Sequence, residues 1–241
     1  MGIIETNLQG VKARIEAACV RVGRNPREIV LVAVSKACSA AQVREAMAAG
    51  QRDFGESYLQ EALPKIEALA AAGAIRPPIV WHFIGPIQSN KTRAIAEHFD
   101  WVHSVDRLKI AERLSAQRPA SMPPLDVCIQ VNVSGEASKS GVAPRDVAAL
   151  AYEVARLPHL RLRGLMAIPE PTDDRAKQRG QFLTLSRLRD EVAGAGVSLD
   201  TLSMGMTADF EEAIAAGSTM VRVGTAIFGE RASARLHPAA A

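Results

Sequence analysis

The sequence predicts an α/β chain folded as a (β/α)8, or TIM, barrel with one extra helix at its N-terminal end. Three observations carry this. Short apolar runs alternate with amphipathic stretches along the chain until eight strands are counted, and each of the first seven is followed by a helix-like segment. The first run, Val30-Leu-Val-Ala-Val34, is apolar on both alternating faces, as a strand of a parallel sheet covered on both sides is. No Gly/Ser/Pro-rich linker divides the chain, since Met122-Pro123-Pro124 and Pro169-Glu170-Pro171 read as loops. An open doubly wound sheet is the competitor, but it needs fewer strands and leaves edges to explain. A single domain is expected over residues 1–231, with an alanine-rich, frayed tail at 232–241.

The elements follow from local pattern. Ile4, Leu8, Val11, Ile15, Ala18 and Val22 fall three and four apart and lay one stripe along a helix that Gly23 ends; this extra helix is a candidate to close the barrel's bottom. The first strand then runs from Val30 towards Lys36. Ser39 with Gln42 three residues on is a capping box, and Gly50 closes the helix it opens. Strands are expected at Asp53 to Glu56, Ile79 to Ile84, Trp101 to Val105, Asp126 to Val133, Leu160 to Ile168, Thr201 to Met204 and Met220 to Phe228. Helices are expected from Ser57 to about Ala71, Gln88 to His98, Asp106 to Gln117, Pro144 to Leu157, Asp173 to Ala193 and Ala208 to Ala216, the last capped by Thr207 and ended by Gly217.

Composition narrows the function. A chain that is 48% hydrophobic and 23% charged is ordinary for a globular protein. The net charge of +3 comes from scattered Lys and Arg without a basic block, which speaks against nucleic acid. No run has the length of a membrane span and the first residues lack a basic leader, so a cytoplasmic protein is expected. The three cysteines, Cys19, Cys38 and Cys128, have no CxxC spacing and suggest neither disulfides nor a metal site. Cys38, two residues past Lys36, either lines the same mouth or is a small buried apolar residue.

The anomaly is Lys36. By strand parity it shares a face with Val34, Val32 and Val30, at the C-terminal end of a strand, the edge at which barrels place their ligands. A desolvated lysine there has its ammonium form disfavoured and offers an amine for an imine with a carbonyl; the alternative is that it snorkels to solvent. At the other end of the chain, Ser203-Met-Gly-Met-Thr207 and Arg222-Val-Gly-Thr225 fall at the loops after strands seven and eight, where barrels often bind phosphate. Gly205 and Gly224 permit close approach and Ser203 and Thr225 bring hydroxyls, although the same residues suit tight turns and caps. Arg222 has inward parity and needs a partner, either an internal carboxylate or a ligand. Pyridoxal 5'-phosphate (PLP) satisfies all three features: its aldehyde on Lys36, its phosphate at Ser203, Gly224 and Thr225, and its ring nitrogen facing Arg222. An arginine does not give up its proton, so the ring would be a weak electron sink.

The motifs Val32-Ala-Val-Ser-Lys36, Asp53-Phe-Gly-Glu-Ser-Tyr-Leu-Gln-Glu61, Trp81-His-Phe-Ile-Gly-Pro-Ile-Gln-Ser-Asn-Lys91, Leu202-Ser-Met-Gly-Met-Thr-Ala-Asp-Phe210 and Val221-Arg-Val-Gly-Thr-Ala-Ile-Phe-Gly229 occur in one order. Through them the chain resembles, over nearly its whole length, the pyridoxal phosphate homeostasis protein family, whose domain is similar to the N-terminal barrel of alanine racemase. The resemblance implies Lys36 as the Schiff-base lysine, Ser203, Gly224 and Thr225 on the phosphate, and Arg222 on the ring nitrogen. Ser57 stands where the family usually has Asn, and Ala37-Cys38-Ser39 where Thr-Lys-Pro is common. His82, Gln130, Asn132, Lys91 and Lys139 are secondary candidates for ligand contact. His82 reads either as a proton carrier or as a hydrogen-bonded histidine of the barrel wall. In the racemase-like fold a tyrosine from an additional C-terminal domain supplies the second base, and Tyr58 and Tyr152 are the tyrosines here. The expectation is a holder of PLP that passes it to apo-enzymes and balances vitamin B6 and amino acids, as a monomer or weak dimer, with no catalytic residue and no metal. A weak PLP-dependent racemase or lyase is the alternative, and an aldolase-type imine barrel a third.

Overall fold

In the computed structural model, residues 2–71, 73, 77–135, 140–170, 172 and 174–230 are described. Eight parallel strands close on themselves in sequence order: β1 (Val30–Val34), β2 (Asp53–Glu56), β3 (Val80–Phe83), β4 (Trp101–Val105), β5 (Leu125–Gln130), β6 (Leu160–Met166), β7 (Thr201–Ser203) and β8 (Met220–Val223). The seam joins the first strand to the last, with Val30 opposite Met220 and Val32 opposite Arg222. Closure leaves no unpaired edge, which disposes of the open-sheet alternative.

The helices are α1 (Ile3–Arg21), α2 (Ala40–Ala48), α3 (Leu59–Ala70), α4 (Thr92–His98), α5 (Leu108–Gln117), α6 (Val147–Ala155), α7 (Arg175–Gly194), α8 (Phe210–Ala215) and α9 (Thr225–Phe228). The capping box of Ser39 and Gln42 is present at α2. Gly23, Gly50 and Gly217 take positive φ where α1, α2 and α8 end. Three expectations need correcting. The last strand stops at Val223, and Thr225–Phe228 turns into α9, because Gly224 breaks the extended run and the chain bends over the barrel's end. At α8 the cap position belongs to Asp209, whose carboxylate accepts from the Met206 N–H, while Thr207 lies two residues upstream. And α1 does not lie across the bottom. It stands in the outer ring against α2, α8 and α9, where Arg24 donates to the carbonyls of Ile214 and Ser218. The tail expected to fray lies outside the described residues.

The alternation of each strand builds two unlike layers. Outward residues such as Leu31, Ala33, Phe54, Val102, Val127, Val221 and Val223 are buried under the helices in a continuous apolar core. The inner face mixes apolar residues with buried polar ones. A side chain at Gly55 would meet Val32, Val34 and Ile84, which puts these residues inside the barrel on the β1–β3 side. Opposite them Asp126 is gripped by Arg161 and Arg163, Arg163 also reaches Asp200 at 2.8 Å, and its guanidinium lies 5.0 Å from the Trp101 ring centre.

Candidate functional site at the seam of the barrel

Lys36 lies beyond the strand rather than in it. β1 ends at Val34, and Ser35 to Cys38 form a tight turn closed by Cys38 N–H donating to Ser35 O at 3.0 Å. Lys36 is half-buried there at the C-terminal mouth. The following residue, Ala37, has φ of 62°, a left-handed conformation that an L side chain resists. It is held by the Glu61 carboxylate, which accepts from Ala37 N–H at 2.9 Å. Ser35 is pinned from below: its hydroxyl donates to Glu56 Oε1 at 2.5 Å, and its carbonyl accepts from Lys65 Nζ at 2.8 Å. Glu56 and Lys65 are both buried and pair at 2.6 Å. A buried ion pair between β2 and α3 thus supports the turn that carries Lys36. Sequence reasoning missed this pair, although Glu56, on the strand's outward parity with Phe54, and Lys65, on the buried stripe of α3 with Leu69, were the available signals.

Arg222 sits on β8 across the seam, inside the barrel and almost completely buried. Its Nη1 donates to Ser203 O at 2.7 Å and to Ser203 Oγ at 2.6 Å, and its Nη2 donates to Ala167 O at 2.9 Å. Among the described residues no carboxylate pairs with it. Burial lowers its pKa to about 10, opposed by the field of Asp209, so it stays a cation at neutral pH. Gly224 follows at the top of the seam, where a Cβ would lie 3.2 Å from Val34 O; the bare backbone of the β8 end therefore abuts the end of β1. Thr225 is exposed, and its hydroxyl meets that of Thr207 at 3.1 Å, joining the loops after β7 and β8. In the sequence Thr207 ends the candidate phosphate loop after strand seven and reads as a cap; its place beside Thr225 appears once the two loops are seen together.

The Ser203 hydroxyl lies apart from that of Thr225. Its side chain is fully buried between Arg222 and His103, whose Nδ1 lies 2.8 Å from Oγ, so its hydroxyl is committed inside the barrel and not offered with Thr225. His103 is a residue the sequence reading passed over. Its signal was parity: in Trp101-Val-His103 the inward positions of β4 are the two rings.

The alanine racemase N-terminal domain model matches residues 6–232. A pyridoxal phosphate homeostasis protein of Pseudomonas aeruginosa is 62% identical over 231 residues, covering 96% of this chain and 97% of that one. The Escherichia coli K12 protein of the same name is 53% identical over 234 residues, 96% and 98% of the two chains. This chain belongs to the pyridoxal phosphate homeostasis protein family. Among solved structures, PipY of Synechococcus elongatus PCC7942 with PLP bound superposes with a TM-score of 0.81 at 35% identity, covering 94% of this chain and 100% of that one. Alanine racemase from Corynebacterium glutamicum, at 18% identity, TM-score 0.65 and with 95% of this chain on 64% of that one, shares the fold.

The secondary candidates of this homeostasis-family chain are spread around the mouth. Ser57 is half-buried and lines a hollow of about 210 Å³ with Tyr58, Phe83, Pro86, Gln88 and Lys91. Gln130 donates to Ser140 O, and the Asn132 side-chain oxygen accepts from Gly135 N–H, so both order the loop after β5. Lys139 lies outside the described residues. Tyr58 is exposed at the start of α3, and the Tyr152 hydroxyl accepts from Arg156 on the exposed side of α6. His82 is fully buried in the barrel wall, as the structural reading of it expected. Among the described residues no helix is long and apolar enough to cross a membrane and no His/Cys/Asp/Glu group could hold a metal ion.

Proposed function

We propose that this protein holds PLP at the β1–β8 seam and releases it to apo-enzymes in the cytoplasm, serving vitamin B6 and amino-acid balance without turnover of its own. One observation carries the reading: the seam brings the turn bearing Lys36, the buried cation of Arg222 and the Gly224–Thr225 corner to one end of the barrel. When bound, the cofactor supplies an aldehyde that condenses with an amine, an anionic phosphate and a pyridine nitrogen. The donor set matches each part. Lys36 provides the amine, from a turn fixed by Ser35, Glu56 and Lys65. Thr225, Thr207 and the first-turn N–H groups after Gly224 provide neutral donors of the kind that surround a phosphate, and Gly224 admits it close to the backbone. Ser203, whose hydroxyl is spent on His103 and Arg222, contributes by orienting Arg222.

Arg222 faces the ring side as a fixed donor. Because it stays protonated, it does not supply the ring with a proton, and this favours holding over carbanion chemistry. Tyr152, on the exposed side of α6, supports the same reading. The test is borohydride reduction of the PLP-treated protein followed by peptide mass analysis, which should place a pyridoxyl group on Lys36 and lose it in Lys36→Ala. A mark elsewhere, or none, rejects the assignment. Incubating the loaded protein with amino acids in D2O should give no α-deuteration above free PLP; clear turnover abolished by Lys36→Ala would make it an enzyme.

A further inference from the structure

The inside of the barrel contains a continuous file of hydrogen-bonded side chains that runs away from Arg222. Ser203 Oγ lies 2.6 Å from Arg222 Nη1 and 2.8 Å from His103 Nδ1. His103 Nε2 lies 2.9 Å from His82 Nδ1, and His82 Nε2 lies 3.1 Å from Asp53 Oδ1. Both rings are fully buried, and His82 stacks on Trp101 with ring centres 5.6 Å apart. Asp53 begins β2 at the end of the barrel opposite the mouth. Its side chain is 31% exposed and borders a cavity of about 550 Å³ at the barrel floor, with Lys12, Val30, Gln51 and Arg52.

With both rings neutral, the two ends fix the direction of every bond. A guanidinium only donates and a carboxylate only accepts. Ser203 Oγ therefore accepts from Arg222 and must send its own proton to His103 Nδ1. His103 then carries its proton on Nε2 and donates it to His82 Nδ1, and His82 donates Nε2–H to Asp53. All bonds then point one way. With neutral rings the file is satisfied in this sense only, because reversing it would aim a bare ring nitrogen at the Asp53 carboxylate.

We infer that Asp53, His82, His103 and Ser203 are one positioning relay for Arg222, by which a carboxylate on the barrel floor sets the tautomer of two buried rings and the orientation of the group that holds the arginine. The inference rests on the preceding reading only where Arg222 meets the cofactor; the relay itself belongs to the chain. Charged groups face the file from several elements. His103 faces His82 and Arg222, and burial followed by these two neighbours pushes its pKa well below 6.5. His82 has Asp53 and, more distantly, Asp100 on its acidic side, and Arg222 has Asp209 and the buried thiol of Cys128 in its field.

The test compares wild type, Asp53→Asn and Asp53→Glu as full-length chains. An asparagine has nearly the same size but presents either an acceptor or a donor to His82, so it removes the instruction and leaves the packing. Imidazole nitrogen NMR on cofactor-free protein should show Nε2–H tautomers for both rings in wild type, mixed tautomers at both His82 and His103 in Asp53→Asn, and recovery in Asp53→Glu. In PLP-loaded protein the same substitution should weaken cofactor retention about 3- to 30-fold and shift the pH profile of the bound chromophore, effects a purely structural floor residue would not produce. A His103 tautomer indifferent to Asp53→Asn overturns the relay. Altered tautomers with unchanged retention and pH profile overturn its coupling to Arg222. Failure of wild type to take up PLP overturns the preceding reading instead, and the NMR result still decides the relay.

Discussion

At the scale of single residues, the site is made of positions that are awkward alone and satisfied together. Ala37 is held left-handed next to Lys36, a conformation that costs an alanine on the order of 1–3 kcal/mol. Ala37→Gly should therefore stabilise the fold by about 1 kcal/mol after glycine's own entropy is counted, raising Tm by about 2–4 °C in a thermal melt. Arg222 is a different case, because its planar fork spans acceptors on two strand ends, Ser203 and Ala167. Arg222→Lys keeps the charge and loses the span. It should cost about 1–3 kcal/mol in urea unfolding by leaving a buried acceptor unpaired. Arg222 was legible in the sequence because it puts a charge on the apolar parity of a strand, and Lys36 because a cation follows closely on an apolar run, although its turn lies past the end of that strand. Ser203 was legible as a candidate but not in its contacts, since a hydroxyl gives no sign of which neighbour will claim it. His103 was hidden because its partners, His82 and Ser203, are brought to it only when the ring of strands closes.

At the scale of elements, the pair that matters is β2 with α3. Glu56 and Lys65 cross from sheet to helix and together hold Ser35, so the turn at the end of β1 is positioned from its neighbours rather than by its own sequence. Lys65→Met should destabilise by about 3–5 kcal/mol in urea, because it strands a buried carboxylate, and should also lower the borohydride-trapped yield at Lys36. Adding Glu56→Gln should recover much of the stability, which separates the cost of a lone charge from the value of the pair. The alternation of strands and helices was readable along the whole chain, since hydrophobic period and glycine stops are local. The end of β8 was not. Thr225-Ala-Ile-Phe228 has the composition of a strand, and it becomes α9 only because the chain must turn over the rim after Gly224.

At the scale of the whole molecule, the barrel divides an apolar outer core from a lumen of mixed apolar and polar residues, and the lumen makes stability depend on acid. His103 is neutral in the folded state with its pKa well below 6.5, so the folded chain binds fewer protons than the unfolded one in the window between that lowered value and 6.5. The stability this confers is complete above pH 6.5 and is lost as pH falls through the window, by at most about 1.4 kcal/mol per pH unit for one proton. Asp100 and Asp209, whose carboxyls burial holds above their ordinary range, act in the opposite sense upward from 3.8. Melting curves between pH 7 and 5 for wild type and His103→Gln isolate the histidine: the wild type should lose Tm faster on acidification.

The seam has a consequence for biosynthesis. The amine emerges from the ribosome within the first fifth of the polypeptide, whereas the strand that must lie beside it, beginning at Met220, is among the last portions made. If Lys36 is the amine that takes the cofactor, as proposed, nascent or prematurely terminated chains carry it without its counterpart, so stable capture would report a finished product and unfinished copies would not drain the pool.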